Sequence, residues 1–553
     1  MEVPYLPILV ASLASLNNVA FGYDVGVISG SLRDIAASLD LSTFEKELAT
    51  SGLNFVSGVG ALLVSGNVLD LLGRRATLLI SSLLLIVGSL LVSLSHSFGE
   101  LLLGRALQGL GSGCSWCACS VYITEIAPPA FRGMLVSISV RLQDSLLSLR
   151  PYPIPLLFTR HQLQRARVRV QGLLWGKDIS INLGILIGYL ADHAVNVNIE
   201  SVDTRWRVAT GLAAVIPLAY ILFLPLIPES PRWLIMVGRS SQAAEVMRSI
   251  SNRLDDNAIQ QELRARELAA IETSMVDHKR RGWLASVLPE SKHSRELVLL
   301  AIALGLFQQL TGTEAILYYT PAILNQCPLP GEASAAEIAA EEGRECVGLD
   351  TVFMINIGVG LCKLVGELVA ATLVDKLGRR QTLVVSNSVV SVLIFAIALR
   401  LTTLFLQGWP MPVAAFALCL VMFFFSLGPG PFTFVIVNEM LPFDIRGKVV
   451  ALSVFFNRIG SGTIALTFLS LKNAVGVFAA FTFYAGIAIA TTIFYWACVP
   501  DLSGKTLEAG AQELAEPNLI DANEADATLS MQPMEAPSAQ AYTSASRNSD
   551  HPC

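Results

Sequence analysis

The chain has 553 residues, 53% of them hydrophobic and only 15% charged, with a formal net charge of −6. Apolar runs of about 20 residues recur along it, each long enough to cross a bilayer as a helix, which excludes a soluble globular chain. The charges are confined to loops and tail, so no nucleic-acid partner is expected, and the nine cysteines have no metal-ligand spacing.

Length and hydropathy predict about twelve spans. They start near Pro4, Ser51, Ala76, Leu101, Met134, Val208, Leu297, Thr351, Thr382, Met411, Lys448 and Val475. The first begins almost at Met1 without a basic leader region, which predicts a retained span and not a cleaved signal. It carries Asp24, a carboxylate that is costly in hydrocarbon unless paired or protonated. Cys114, Cys117 and Cys119 fall in an apolar Gly/Ser-rich helix and are expected to be small packing residues.

The fifth span is interrupted. Arg132–Ile138 and Asp178–Leu190 joined directly would give one ordinary helix. Between them lie Arg141, Arg150, Arg160, Arg165, Arg167, Arg169 and Lys177, with prolines at 151, 153 and 155. An Arg at a helix centre costs about 2.5–3.5 kcal/mol on insertion scales, and an interior Pro about 3 kcal/mol. The block 139–177 is therefore not bilayer-embedded helix. It is expected to be a retained intron or a mis-joined gene model that impairs function; a genuine cytoplasmic loop is the alternative.

Four regions are expected: a six-helix half at 1–227, a cytoplasmic helical linker at 228–295, a second six-helix half at 296–499, and a disordered acidic tail at 500–553. The second half opens on Phe307–Pro321, which sets Gln308, Gln309, Glu314 and Tyr318 at membrane depth. Amides and carboxylates there suit a hydroxyl-rich ligand. Thr311-Gly312 loosens this helix and Pro321 can kink its end. Arg74, Arg75, Arg132, Arg379, Arg380, Arg446 and Lys279–Arg281 fall on one side of a twelve-span count, which places both termini in the cytoplasm. Cys327 and Cys346 flank the acidic outer loop, as a disulfide or as two free thiols.

The halves repeat each other. L-D-L-L-G-R-R at Leu69–Arg75 returns as V-D-K-L-G-R-R at Val374–Arg380, and E-I-A-P-P-A-F-R-G at Glu125–Gly133 as E-M-L-P-F-D-I-R-G at Glu439–Gly447. Duplicated six-helix halves mark transporters with a site at the midplane. With P-E-S-P-R-W-L at Pro228–Leu234, Q-Q-L-T-G, G-P-G-P at Gly428–Pro431 and G-K-T-L-E at Gly504–Glu508, the chain resembles the sugar porter family of the major facilitator superfamily. Lys363 and Ser426 are similar to the animal glucose transporters of types ten and twelve.

The resemblance implies an all-α fold of twelve transmembrane helices in two pseudo-symmetric six-helix halves. It implies alternating-access transport of a monosaccharide or polyol, passive or coupled to a proton, with no cofactor and no enzymatic activity. A non-transporting sugar sensor is the rival reading. The substrate residues it implies are Gln308, Gln309, Glu314, Tyr318, Phe425, Phe434, Asn457 and Asp178. Phe434 and Arg458 stand where Trp is usual, and Glu314 where Asn is. Asp24 with Arg105 implies a proton site, or else a static ion pair. Asp70, Arg74, Arg75, Glu125, Arg132, Glu229 and Arg232 imply a charge latch in one half. Asp375, Arg379, Arg380, Glu439 and Arg446 imply its counterpart. Glu314 and Lys363, both intramembrane, are expected to pair. The membrane is expected to be the plasma membrane or an endomembrane.

Overall fold

The computed structural model describes residues 5–64, 68–126, 177–250, 291–324, 348–400, 411–441 and 443–500. They are helical, with no strand among them. The first half comprises α1 (Tyr5–Ala14), α2 (Leu16–Leu39), α3 (Thr43–Leu63), the short α4 (Leu69–Leu72), α5 (Arg74–Leu94) and α6 (Phe98–Ile126). After the block come α7 (Lys177–Asn198), α8 (Val202–Gly211) and α9 (Val215–Phe223). Two short helices follow, α10 (Pro231–Met236) and α11 (Ser240–Ile250). The second half holds α12 (Lys292–Leu310), α13 (Thr313–Ile323), α14 (Leu349–Leu377), α15 (Arg379–Arg400), α16 (Met411–Leu427), α17 (Pro429–Met440) and α18 (Phe443–Cys498).

Local chemistry explains the boundaries. The second span starts at Thr43 and not near Ser51, because Ser42 and Glu45 close a capping box: Ser42 Oγ accepts from Glu45 N at 3.3 Å and Glu45 Oε2 accepts from Ser42 N at 2.8 Å. Gly73 (φ 87°) and Gly378 (φ 77°) take matching positive-φ conformations just before the Arg-Arg pairs that open α5 and α15. The sequence repeat is thus also a backbone repeat. Gly476, at φ 81°, splits α18 into the two expected last spans.

Close packing of α2 against α7 explains the glycines of both. A Cβ on Gly22 would lie 2.0 Å from the carbonyl oxygen of Ile181, and one on Gly184 would lie 2.1 Å from that of Val19. The two backbones touch, which only missing side chains allow. One continuous apolar core runs through both halves, from Phe21, Leu53 and Ile185 to Tyr318, Val359, Phe425 and Phe468. Large apolar side chains such as Leu94, Leu222, Leu299, Val392 and Phe416 point outward, as a lipid-facing surface requires. The block 139–176, Arg132, Cys327, Cys346 and the tail lie outside the described residues.

Candidate functional site

A cavity lined by both halves lies where they meet. The first half lines it with Phe21 and Val25 of α2, Trp116 of α6, and Asp178 and Asn182 of α7. The second half supplies Gln308, Gln309, Glu314, Tyr318, Lys363, Glu367, Phe425, Ser426, Phe434 and Arg458.

The helix carrying the amides is broken where the sequence loosens it. Gly312 adopts φ 82° between α12 and α13, with the ring of Tyr484 so close that a Cβ would fall 2.7 Å from its Cγ. A second irregularity lies at Tyr319 (φ −122°), just ahead of Pro321. The break ends α12 directly after Gln308 and Gln309 and starts α13 just before Glu314.

Of the expected substrate residues, Gln308, Gln309, Glu314, Tyr318, Phe425, Phe434 and Asp178 line the cavity together. Asn457 is not among its lining residues; it stands behind as the centre of a hydrogen-bond network. Its Nδ2 donates to Gly305 O at 2.9 Å and to Gln308 Oε1 at 2.7 Å. Its Oδ1 accepts from Gln309 Nε2 at 3.3 Å and from Arg458 Nε and Nη2 at 3.1 and 2.7 Å. Gln308 Nε2 donates in turn to the carbonyls of Pro429 (2.7 Å) and Gly430 (2.9 Å), tying α12 to the G-P-G-P bend. Gln308 is thus already engaged at both ends of its amide, whereas Gln309 keeps an oxygen with no hydrogen-bond partner.

The expected Glu314–Lys363 ion pair is not made. Both side chains line the cavity, but among the described residues none of the ion pairs joins them. Each charge instead faces a shared polar space that also holds Asp178, Glu367 and Arg458. Glu367 accepts a hydrogen bond from Asn182 Nδ2 across the two halves. Sequence reasoning passed over Phe21, Trp116, Asn182 and Glu367. An intramembrane acid on α14 was a readable signal for Glu367; a lone Trp in a small-residue helix was not one for Trp116.

Asp24 and Arg105 do meet. Arg105 Nη1 donates to Asp24 Oδ2, and Gln108 Nε2 donates to Oδ1 at 3.0 Å. Arg105 Nε holds the carbonyl of Ala49 at 2.9 Å. Both side chains are buried, and Asp24 borders a separate small cavity with Ser89, Gln108 and Ser112. Phe21 lines both this space and the central one.

At the end of the bundle after α3, Arg74 Nη2 donates to Glu125 Oε1 at 2.8 Å, and Nη1 donates to Asp70 Oδ1 at 3.2 Å. Glu229 caps α5: its carboxylate accepts from the backbone N–H groups of Arg74 at 3.0 Å and Arg75 at 3.2 Å. Ser230 Oγ bonds Glu125 Oε2 at 2.6 Å. Arg232 is exposed and has no ion-pair partner among the described residues. In the second half Arg379 pairs with Glu439 at 2.9 Å. Arg446 holds the carbonyl of Leu441, and Arg380 that of Trp496. Asp375 lies in α14, with its side chain outside the described residues. Both clusters are internal to a half; among the described residues no ion pair joins the halves at this end.

The family model described as "Sugar (and other) transporter" matches residues 10–140 and 167–514. Probable polyol transporter 4 of Arabidopsis thaliana is 32% identical over 499 residues, covering 90% of this chain and 83% of the relative. The glucose transporter GlcP of Staphylococcus epidermidis is 28% identical over 511 residues, covering 92% and 97%. A partially occluded inward-open structure of the xylose transporter XylE from E. coli superposes with a TM-score of 0.68 at 20% identity, covering 91% of this chain and all of that one.

Proposed function

Because this chain belongs to the sugar transporter family of the major facilitator superfamily, we propose that it carries a monosaccharide or polyol across a membrane by alternating access. The observation that supports this best is the central cavity. It is lined by both halves and polar on several sides, and it lies where a relative movement of the halves would expose it to either face. Gln309, Glu314, Tyr318 and Asp178 are the proposed substrate contacts, with Phe425 and Phe434 as the aromatic wall. Gln308 and Asn457 hold the amides in place. The charge clusters around Arg74 and Arg379 are the proposed gating elements, and both termini are proposed to be cytoplasmic.

Proton coupling through Asp24 and Arg105 is the proposed mechanism, supported by a carboxylate buried at membrane depth beside its own small cavity. One observation favours passive transport instead: both Asp24 oxygens already accept hydrogen bonds. Reconstituted full-length protein decides between them. Uptake of labelled hexoses and polyols into proteoliposomes should rise with an inward proton gradient; equal uptake with and without the gradient favours the passive carrier. The absence of any flux across a broad sugar and polyol panel would sink the transport reading itself.

A further inference from the structure

The aromatic side chains that the first half contributes to the central cavity, Phe21 and Trp116, are covered by a cation. Arg458, 6% exposed, belongs to the second half, yet its guanidinium carbon lies 4.5 Å above the ring of Trp116 and 5.7 Å from that of Phe21, both in the first half. The cation is held there from behind by its two bonds to Asn457 Oδ1, at 3.1 and 2.7 Å. A guanidinium fixed by a fork of donors and desolvated over an indole is a stable arrangement. Of the other rings, Phe434 meets Trp116 edge-on at 6.3 Å.

This placement bears on what the cavity takes. A cyclic sugar presents apolar C–H faces that gain by lying on an exposed aromatic face. Arg458 occupies that position on Trp116, the largest ring lining the cavity. Beyond the smaller rings of Phe425 and Phe434, what remains around the space is rich in hydrogen-bonding capacity: the unpartnered oxygen of Gln309, the carboxylate of Glu314, the ammonium of Lys363 and the unpartnered hydroxyl of Ser426. An open-chain polyol has a hydroxyl on every carbon and no ring face. It can turn a hydroxyl to each of these walls, with charge-assisted bonds to Glu314 and Lys363.

We infer that Arg458 is a specificity-determining residue, and that by capping Trp116 it selects acyclic polyols over cyclic sugars. The inference rests on the transport reading above and narrows its substrate class. The test uses full-length protein in proteoliposomes and compares kcat/KM for glucitol and mannitol with that for glucose and xylose. The wild type should favour the two alditols. Arg458→Met uncovers Trp116 and should move the alditol-to-sugar ratio toward the cyclic sugars by about tenfold, a change of about 1.4 kcal/mol. Arg458→Lys keeps the charge without the planar fork and should fall between the two. It also serves if the Met variant does not fold. A wild-type preference for cyclic sugars overturns the inference while leaving transport intact, as does an unchanged ratio in a folded Arg458 variant. Flux of neither class overturns transport, and the inference with it.

Discussion

At the scale of single residues, the buried charges differ in how well they are satisfied. Asp24 is saturated by Arg105 and Gln108, while Glu314 and Lys363 face the cavity without a direct ion pair. Under the coupling proposal, Asp24→Asn should abolish uphill uptake but leave sugar exchange within about twofold, since an amide keeps the shape but not the titrating proton. Counterflow measured beside gradient-driven uptake checks this; loss of both activities to the same extent would mean that Asp24 only holds α2 to α6. Asp24, Gln308, Gln309 and Glu314 were legible because a polar group at membrane depth stands out against its neighbours. Trp116 and Phe21 were not, because an aromatic in an apolar span carries no mark of the face it turns to. Arg458 was visible as a departure from the family, but its stacking partners belong to the other half of the chain.

At the scale of elements, two features carry predictions. Gly73 has φ 87° and ψ 167°, with Glu229 Oε2 only 2.7 Å from where a Cβ would stand. Gly73→Ala therefore combines backbone strain of about 1–3 kcal/mol with displacement of the carboxylate that caps α5. The detergent-solubilised variant should melt below the wild type, and so should Gly378→Ala, whose φ of 77° carries the same backbone strain. An unchanged melting temperature for Gly73→Ala would refute the strain argument. The second feature is the interrupted span. Among the described residues α7 runs from Lys177 and packs backbone to backbone on α2, while the family match breaks off at residue 140 and resumes at 167. We propose that α7 works without the block. A protein in which Ile138 is joined to Asp178 should transport at least about threefold faster than the full chain, at equal surface expression, because an interior insertion of this length is unusual. Equal rates would identify the block as a tolerated loop.

At the scale of the molecule, several side-chain contacts join the halves toward the end where α3 begins. Glu47 accepts from Ser470 N and Oγ, both at 2.6 Å. Asn54 Nδ2 donates to the Tyr318 hydroxyl at 3.1 Å, and the Tyr189 hydroxyl donates to Leu317 O at 3.0 Å. His193 packs on Phe353 at 5.5 Å. Each contact crosses between the halves, so the described conformation is closed at that end, which the orientation proposal makes external. Glu47 is 1% exposed, and both of its oxygens are committed to Ser470, so truncating it removes this bridge between the halves. Glu47→Ala should thus favour opening there. Ser51 lies on the same face of α3, one turn from Glu47 and about one turn from Asn54. A cysteine at Ser51, labelled by a membrane-impermeant maleimide, should react several-fold faster in the Glu47→Ala background. No change in labelling would show that Glu47 is not part of the closure.

The residues alone determined the architecture: spans follow from the bilayer's demand for about 20 apolar residues, and the two halves from a repeat that can be read letter by letter. They also marked the polar groups that hydrocarbon would not tolerate without a function. Only the tertiary structure decided which of those groups meet. Glu314 and Lys363 lie on neighbouring helices of one half and line the same cavity, yet make no direct ion pair. Asn457 was expected at the substrate and stands behind the amides. Arg458 lies over Trp116 although 342 positions separate them in the chain, 458 less 116. Hydropathy and motif report each residue's local environment, whereas contacts across the midplane depend on how the two halves are set against each other.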